Sequence, residues 1–123
     1  MTLESELQTA LLLAASASLP SLRLFRRNIS KVKIRGYTVR FGLPGQCDLY
    51  GYLKGGQALE VELKAAGNDL DPDQKVWRDW CLEWRVPHIV LTARKKETVK
   101  ETTERWLLEL ANLIRQVGST APS

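Results

Sequence analysis

The chain has little of what disulfide-stabilised and zinc-binding proteins depend on. Its 123 residues include only two cysteines and one histidine. Neither Cys47 nor Cys81 lies in a C-x-x-C motif or a Cys/His cluster, so the sequence offers no disulfide framework and no zinc site. We expect both cysteines to be reduced and to pack in the interior.

Long apolar runs are also missing. The longest, Leu11 to Ala17, is far shorter than a membrane span, and Glu4 and Glu6 precede it where a signal peptide would be basic. The sequence thus contains no recognisable membrane or secretion signal. We expect a soluble cytoplasmic protein.

Length and charge set further limits. A chain of 123 residues with 44% hydrophobic residues suits one domain with a proper core and is too short for two. Eighteen Lys and Arg against fourteen Asp and Glu give a net charge of +4. That excess is compatible with a polyanionic partner and equally with an ordinary soluble protein.

Hydrophobic periodicity predicts an α/β domain with the element order αββββαβα. The predicted helices run from Thr2 or Leu3 to Ala17, from the N-cap Asp71 to Arg85, and from Thr98 to Val117. The predicted strands are 22–28, 32–41, 47–53, 58–64 and 88–92. Gly118 is the expected C-cap of the last helix, and we expect a disordered tail at 118–123.

The second predicted helix carries an apolar stripe of three tryptophans and a cysteine. Trp77, Trp80, Cys81 and Trp84 recur at helical spacing, which predicts core packing rather than a platform for nucleic-acid bases. Gln74 has two possible roles, completing a capping box with Asp71 or extending its amide into a functional site.

The segment Ala58–Lys64 alternates between apolar and charged side chains. Leu59, Val61 and Leu63 point to one face, while Glu60, Glu62 and Lys64 point to the other. Any half-exposed strand can show this pattern, so an E-x-K triplet alone is a weak motif.

A short hairpin turn at Gly55-Gly56 is expected to pair this strand with the preceding strand, 47–53. Residues equidistant from the turn lie opposite each other, which places Asp48 opposite Glu62 and Tyr50 opposite Glu60. Carboxylates beside an ammonium group are what a divalent cation and a phosphodiester under attack require. Glu60 is the alternative ligand should Glu62 be misassigned.

Five segments, in one order, carry a family resemblance. They are Glu4-Ser5-Glu6-Leu7-Gln8, Arg26-Arg27-Asn28, Gly45-Gln46-Cys47-Asp48-Leu49, Glu62-Leu63-Lys64 and Gln74. Over residues 4 to about 95 the chain resembles the VRR-NUC branch of the PD-(D/E)XK nucleases. The resemblance implies one nuclease domain over residues 1–117, with a restriction-endonuclease-like core in which helices flank a central mixed sheet.

The resemblance also implies an activity, Mg²⁺- or Mn²⁺-dependent hydrolysis of DNA phosphodiester bonds. Compact family members of phages and bacteria resemble Holliday-junction resolvases and act as homodimers, so we expect a homodimer, branched or duplex DNA as substrate, and a bacterial or phage-infected cell. A dimer also suits symmetric cutting of two strands.

Site residues follow from the match together with the chemistry of the groups. Asp48, Glu62 and the main-chain carbonyl of Leu63 would hold the metal, with Glu4 sharing a second or water-bridged ion. Lys64 would orient the attacking water or offset phosphate charge, and Gln74 would position Lys64 or the water. Glu4 is preferred over Glu6 because it precedes Gln8 by four residues, the family's E-x-x-x-Q spacing.

Basic residues precede the acidic site and are expected to contact DNA phosphates. They are Arg26, Arg27, Lys31, Lys33, Arg35 and Arg40, with Asn28 added by the resemblance. A solvated face of a two-stranded ribbon explains the same charges. Two other functions stay open: a non-catalytic nucleic-acid-binding module, and an inactive structural subunit on the nuclease scaffold.

Overall fold

The computed structural model describes residues 2–27, 31–40 and 42–120, which form three helices and six strands. In chain order the elements are α1 (Leu3–Ser18), β1 (Leu22–Arg26), β2 (Lys31–Ile34), β3 (Tyr37–Arg40), β4 (Leu49–Leu53), β5 (Ala58–Lys64), α2 (Pro72–Glu83), β6 (His88–Thr92) and α3 (Val99–Thr120). None of the helices in these ranges combines the length and apolar character needed to cross a lipid bilayer.

The central sheet has four strands in the order β1-β4-β5-β6. Strands β1, β4 and β5 are antiparallel to their neighbours, while β5 and β6 run parallel. The predicted mixed sheet flanked by helices is therefore confirmed. The parallel pair brings the carboxyl ends of β5 and β6 to the same edge of the sheet, close to Lys64.

The predicted order αββββαβα was wrong in one place, because the single strand expected at 32–41 is a hairpin of β2 and β3. Ile34 pairs with Tyr37, so Arg35 and Gly36 form a two-residue turn. Both have left-handed φ angles, 52° and 80°, which suit the sharp reversal of such hairpins. The ribbon forms a separate two-stranded sheet.

The hydrophobic core lies on one face of the central sheet. Its strand residues are Leu22, Leu49, Leu59, Val61, Leu63 and Leu91, and α1 and α3 cover them with Leu7, Leu11, Trp106 and Leu110. At 25 cal/mol per Å² of apolar surface, burying each large side chain stabilises the fold by roughly 1.5–3 kcal/mol. Cys47 and Cys81 are buried free thiols, as predicted.

Local capping signals explain where the first two helices begin. The Thr2 hydroxyl accepts a hydrogen bond from the Ser5 amide at the start of α1. At α2 the Asp71 carboxylate accepts from the Gln74 amide and the Gln74 side chain accepts from the Asp71 amide, a complete capping box with Pro72 in the first turn. The predicted start of α2 is confirmed.

The prediction of core packing was wrong for two of the tryptophans of α2. Trp80 and Trp84 are 40% and 65% exposed, and only Cys81 in the stripe is fully buried. The rings stack on one another, with centroids 4.7 Å apart for Trp77 and Trp80 and 5.9 Å apart for Trp80 and Trp84. The reason is that α2 lies over the charged face of the sheet, where glutamates replace an apolar partner surface.

The last helix also extends further than predicted. Helix α3 continues past Gly118 to Thr120, so the part of the predicted disordered tail at 118–120 is helical. Gly118 does not adopt the left-handed conformation of a C-cap glycine and therefore leaves the helix unbroken. Residues 121–123 lie outside the described part of the chain.

Candidate active site

The charged row of β5 lies on the sheet face opposite the core. Glu60 and Glu62 are buried, with 6% and 3% of their surface exposed, and Lys64 is half-buried. Tyr50 pairs with Glu60 and Leu49 with Val61, which confirms the predicted hairpin register. Continued by one residue, this register brings Asp48 across from Glu62.

Asp48 lies immediately before β4 and is fixed at both its side chain and its main chain. Its carboxylate Oδ2 accepts a hydrogen bond from the Leu63 amide at 3.3 Å. Its carbonyl accepts from the Arg27 amide at 2.9 Å. The side chain of Asp48 is thus tied directly to the strand that carries Glu62 and Lys64.

The electrostatics of Glu62 are unusual for a carboxyl group. Burial, followed by the negative charge of Asp48, raises the pKa of Glu62 to about 9, while Lys64 works in the opposite direction. Burial and the nearby Asp48 charge therefore favour the protonated form of Glu62. The Gln74 amide Nε2 donates to Glu62 Oε1 at 3.3 Å and orients the group.

The Asp48–Glu62 pair fits a hard divalent cation. Carboxylate oxygens, with a main-chain carbonyl such as that of Leu63, are the donors Mg²⁺ prefers, and Mg²⁺ keeps several of its waters, so a small protein ligand set is enough. A cation here would also remove the repulsion that raises the pKa of Glu62. Within residues 2–27, 31–40 and 42–120, no group of three or more His, Cys, Asp or Glu side chains is arranged to hold a metal.

Gln74 combines the two roles that the sequence left open. Its Oε1 accepts from the Asp71 amide at 3.0 Å to complete the capping box, while its Nε2 reaches Glu62. The start of α2 is therefore fixed to the candidate site by one side chain. The contact is to Glu62, where sequence reasoning had expected Lys64 or the attacking water.

Glu4 and Lys64 line a common cavity of about 400 Å³. The cavity lies between the first turn of α1, the end of β5 and the loop from β6 to α3. Glu4 lines it, whereas Glu6 does not. Among the described residues Glu4 does not form a three-carboxylate group with Asp48 and Glu62, so its share in a second ion stays a prediction.

An ion pair that the sequence analysis missed lies beside the carboxylates. Arg27 Nη1 and Nη2 donate to Glu60 Oε1 and Oε2 at 2.6 and 2.8 Å. Trp77 Nε1 donates to the same Glu60 oxygen, Oε1, at 3.0 Å, and the guanidinium lies 4.9 Å from the Tyr50 ring centroid. Glu60 is fully engaged and does not take the place of Glu62. Side-chain alternation on β5 puts Glu60 on this face, but it does not identify Arg27, the residue after β1, as its partner.

The ion pair with Glu60 bears on the prediction that Arg27 contacts DNA phosphates. Burial works to lower the pKa of Arg27, but hydrogen bonding and the charge of Glu60 outweigh it, so the pKa is raised. Its guanidinium is held inside the protein by Glu60 and by the Cys47 carbonyl at 3.1 Å. Arg26 is exposed and donates to Thr9 Oγ1 at 3.2 Å.

The other predicted DNA contacts have less structural context. Lys31 and Lys33 lie on β2, with side chains outside the described part of the structure, and Asn28 lies outside it altogether. Their phosphate contacts stay predictions.

Comparisons of the chain with protein families, with curated proteins and with solved structures find no match.

Proposed function

We propose that the protein is a metal-dependent DNA nuclease of the PD-(D/E)XK type, related to the VRR-NUC branch. The observation that carries the proposal is the Asp48–Glu62 pair, in which burial and the charge of Asp48 raise the pKa of Glu62 to about 9, with Lys64 two residues further along β5. Such strongly shifted groups are concentrated at functional sites. The preferred cofactor is Mg²⁺ or Mn²⁺.

Each residue has a defined task in the proposed reaction. Asp48 and Glu62, with the Leu63 carbonyl, hold the cation, and the Gln74 amide keeps the Glu62 carboxyl in place. When bound, the cation supplies Lewis-acid polarisation of the phosphate and acidifies water. Lys64 orients the attacking water or offsets negative charge that develops on the phosphate oxygens.

The substrate class is part of the same proposal. A net charge of +4 favours a polyanion, and the basic residues before the site suit phosphate contacts rather than base recognition. We propose branched or duplex DNA bound by shape, and a homodimer that places two sites on two strands. The rival is a nucleic-acid-binding module without catalysis, favoured by the absence of a third clustered carboxylate among the described residues.

The deciding experiment compares purified protein and variants on linear and branched DNA with Mg²⁺ or Mn²⁺. Asp48→Asn keeps an acceptor for the Leu63 amide but removes the charge, and Lys64→Met removes the ammonium group. We expect each to lower the cleavage rate about 10³-fold, because several kcal/mol of transition-state stabilisation is lost.

Matched controls test the specificity of that loss. Glu83→Gln and Lys54→Met make the same charge changes at exposed positions on α2 and on the β4–β5 turn, and should retain activity. Cleavage by the Asp48 or Lys64 variant at the wild-type rate would overturn the nuclease proposal. DNA binding in EDTA without cleavage in any metal would favour the binding module.

A further inference from the structure

The cavity that contains Glu4 and Lys64 has a basic wall that the proposed reaction does not use. Three consecutive cations, Arg94, Lys95 and Lys96, line it from the loop between β6 and α3. All three are exposed. With Lys64 they place four positive side chains around one opening.

The acidic residues of the cavity do not cancel this charge. Glu97 is held by Arg105, whose Nε and Nη2 donate to its two carboxylate oxygens at 2.9 and 2.7 Å. Only Glu4 is left to face the four cations. In the part of the chain that the structure describes, neither Lys64 nor any of the residues 94–96 forms an ion pair with a carboxylate.

The floor of the cavity is apolar. The apolar lining residues include Leu3, Leu7, Val99 and Trp106. Its volume of about 400 Å³ lies within the range of small-ligand sites, roughly 300–1,000 Å³. It also opens at the carboxyl ends of parallel strands, where α/β sheets bind ligands. An anionic group attached to a less polar body, such as a nucleotide unit, matches these surroundings.

We propose that this cavity binds one nucleotide of the DNA strand next to the bond that is cut, with its phosphate between Arg94 and Lys95. This proposal rests on the proposed nuclease function, because that function identifies the bound strand as the DNA that is cut. The sugar and base then lie over the apolar floor, and the chain continues past Lys64 to the Asp48–Glu62 pair. The loop from β6 to α3 thus sets the direction of the strand across the site.

The test uses the double variant Arg94→Gln/Lys95→Gln and a control that removes the same two residue types elsewhere, Arg23→Gln/Lys54→Gln. Arg23 and Lys54 are exposed and do not line the cavity. Lys96 is left unchanged because its φ is left-handed, 70°, so a substitution there would alter the backbone strain of the loop as well as its charge. Circular dichroism confirms folding, and the single variants Lys95→Gln and Lys54→Gln replace the pair should a double variant unfold.

Binding of a labelled 20-nucleotide single strand in EDTA is measured by fluorescence anisotropy over a range of salt concentrations. Losing the two cations that contact this one phosphate should lower the slope of log Kd against log salt by about 0.7 and weaken binding about tenfold at low salt. The control, which changes only the overall charge, should weaken binding less than about threefold. Equal slopes for the two double variants would overturn the proposal.

Inorganic phosphate gives a second readout that is independent of DNA. In an NMR titration the amides of residues 64 and 94–96 should shift in the wild type and in the control, and not in the Arg94/Lys95 variant. If the wild type cleaves DNA but the two double variants show the same salt slope and the same phosphate titration, the nucleotide site in the cavity is refuted and the nuclease proposal is retained. A changed salt slope without any wild-type cleavage would refute the nuclease and keep the cavity as a nucleic-acid site.

Discussion

Arg27, the residue after β1, is joined to Glu60 on β5, across the intervening strand β4, by two hydrogen bonds of 2.6 and 2.8 Å. The same guanidinium holds the Cys47 carbonyl, and the Arg27 amide holds the Asp48 carbonyl. Asp48 is therefore held from the β1 side of β4, whereas Glu62 lies on the β5 side. Arg27 and Glu60 are positioning residues for the carboxylate pair, since they act through the backbone of 47–48.

Breaking this ion pair should be costly. Glu60→Gln keeps the volume of the side chain but leaves the Arg27 charge without its partner in a site where the two side chains are 17% and 8% exposed. We expect a loss of about 3 kcal/mol in the free energy of unfolding, the lower end for a buried pair, because Arg27 keeps some contact with water. Urea denaturation at pH 7 measures it.

The control for this prediction is Glu83→Gln, an exposed position where the change should be within about 0.5 kcal/mol. The double variant Arg27→Met/Glu60→Leu should recover much of the stability, because apolar side chains can replace a buried ion pair. It should not restore the full Mn²⁺ affinity, since the hydrogen bond from the Arg27 guanidinium to the Cys47 carbonyl, next to Asp48, is lost. Recovery of both would contradict the positioning role.

The raised pKa of Glu62 predicts a stability that depends on pH. The folded protein holds a proton on Glu62 up to about pH 9, whereas the unfolded chain releases it near 4.5. The stabilisation is thus complete below pH 4.5 and declines as pH rises towards 9. Glu62→Gln, which mimics the protonated form, should unfold with a flatter pH profile.

Chemical denaturation at pH 5, 7 and 9 without divalent cations tests this prediction. Glu97, whose pKa is lowered to about 2 mainly by its hydrogen bond from Arg105, works in the opposite direction at lower pH. The comparison of wild type with Glu62→Gln removes this contribution, because Glu97 is present in both. Parallel profiles for the two proteins between pH 5 and 9 would show that Glu62 titrates normally.

Cation binding should release the proton of Glu62. Because the ligand form is the carboxylate, the affinity for Mn²⁺ should rise up to tenfold per pH unit below about pH 9. Isothermal titration calorimetry in two buffers of different ionisation enthalpy counts the protons released, and we expect close to one at pH 7. Glu62→Gln should release none, while Glu83→Gln should behave as the wild type. Binding without proton release in the wild type would argue against Glu62 as a ligand.

Local sequence signals were sufficient for the parts of the site that lie close together in the chain. The Gly55-Gly56 turn fixed the register of β4 and β5, and Asp71 with Gln74 fixed the start of α2. The Arg27–Glu60 pair is separated by 33 residues and depends on which strands become neighbours, so periodicity did not reveal it. Arg35 is not a glycine, so the sequence did not predict the left-handed φ that this residue adopts in the β2–β3 turn.

The tryptophans show a second limit of periodicity, since it predicts that residues share a helix face but not what packs against that face. Trp84 is 65% exposed and Trp106 is 1% exposed. We expect Trp84→Ala to change the free energy of unfolding by less than about 1 kcal/mol and Trp106→Ala to cost about 3–5 kcal/mol. Trp106→Phe is the milder variant if the alanine protein does not fold. Equal losses at positions 84 and 106 would mean that Trp84 is covered in solution.

Gly45 connects the Asp48 segment to the start of α2 through close backbone packing. A Cβ at this position would lie 2.2 Å from the Asp73 carbonyl oxygen and 2.8 Å from the Gln74 amide nitrogen. Its φ of 83° is also left-handed. Gly36 has a similar φ of 80°, but a Cβ there would have no atom of the described residues within 4 Å, so it is a matched control for the backbone strain alone.

Gly36→Ala should therefore cost about 1–2 kcal/mol from the left-handed backbone. Gly45→Ala should cost about 1–3 kcal/mol more, because the backbone of α2 has to move away. That movement withdraws Gln74 from Glu62, so Gly45→Ala should also weaken Mn²⁺ binding and cleavage, whereas Gly36→Ala should leave both unchanged. Urea denaturation and calorimetry on the two variants measure these effects, and equal losses of stability with intact Mn²⁺ binding would show that the contact between Gly45 and α2 does not position the site.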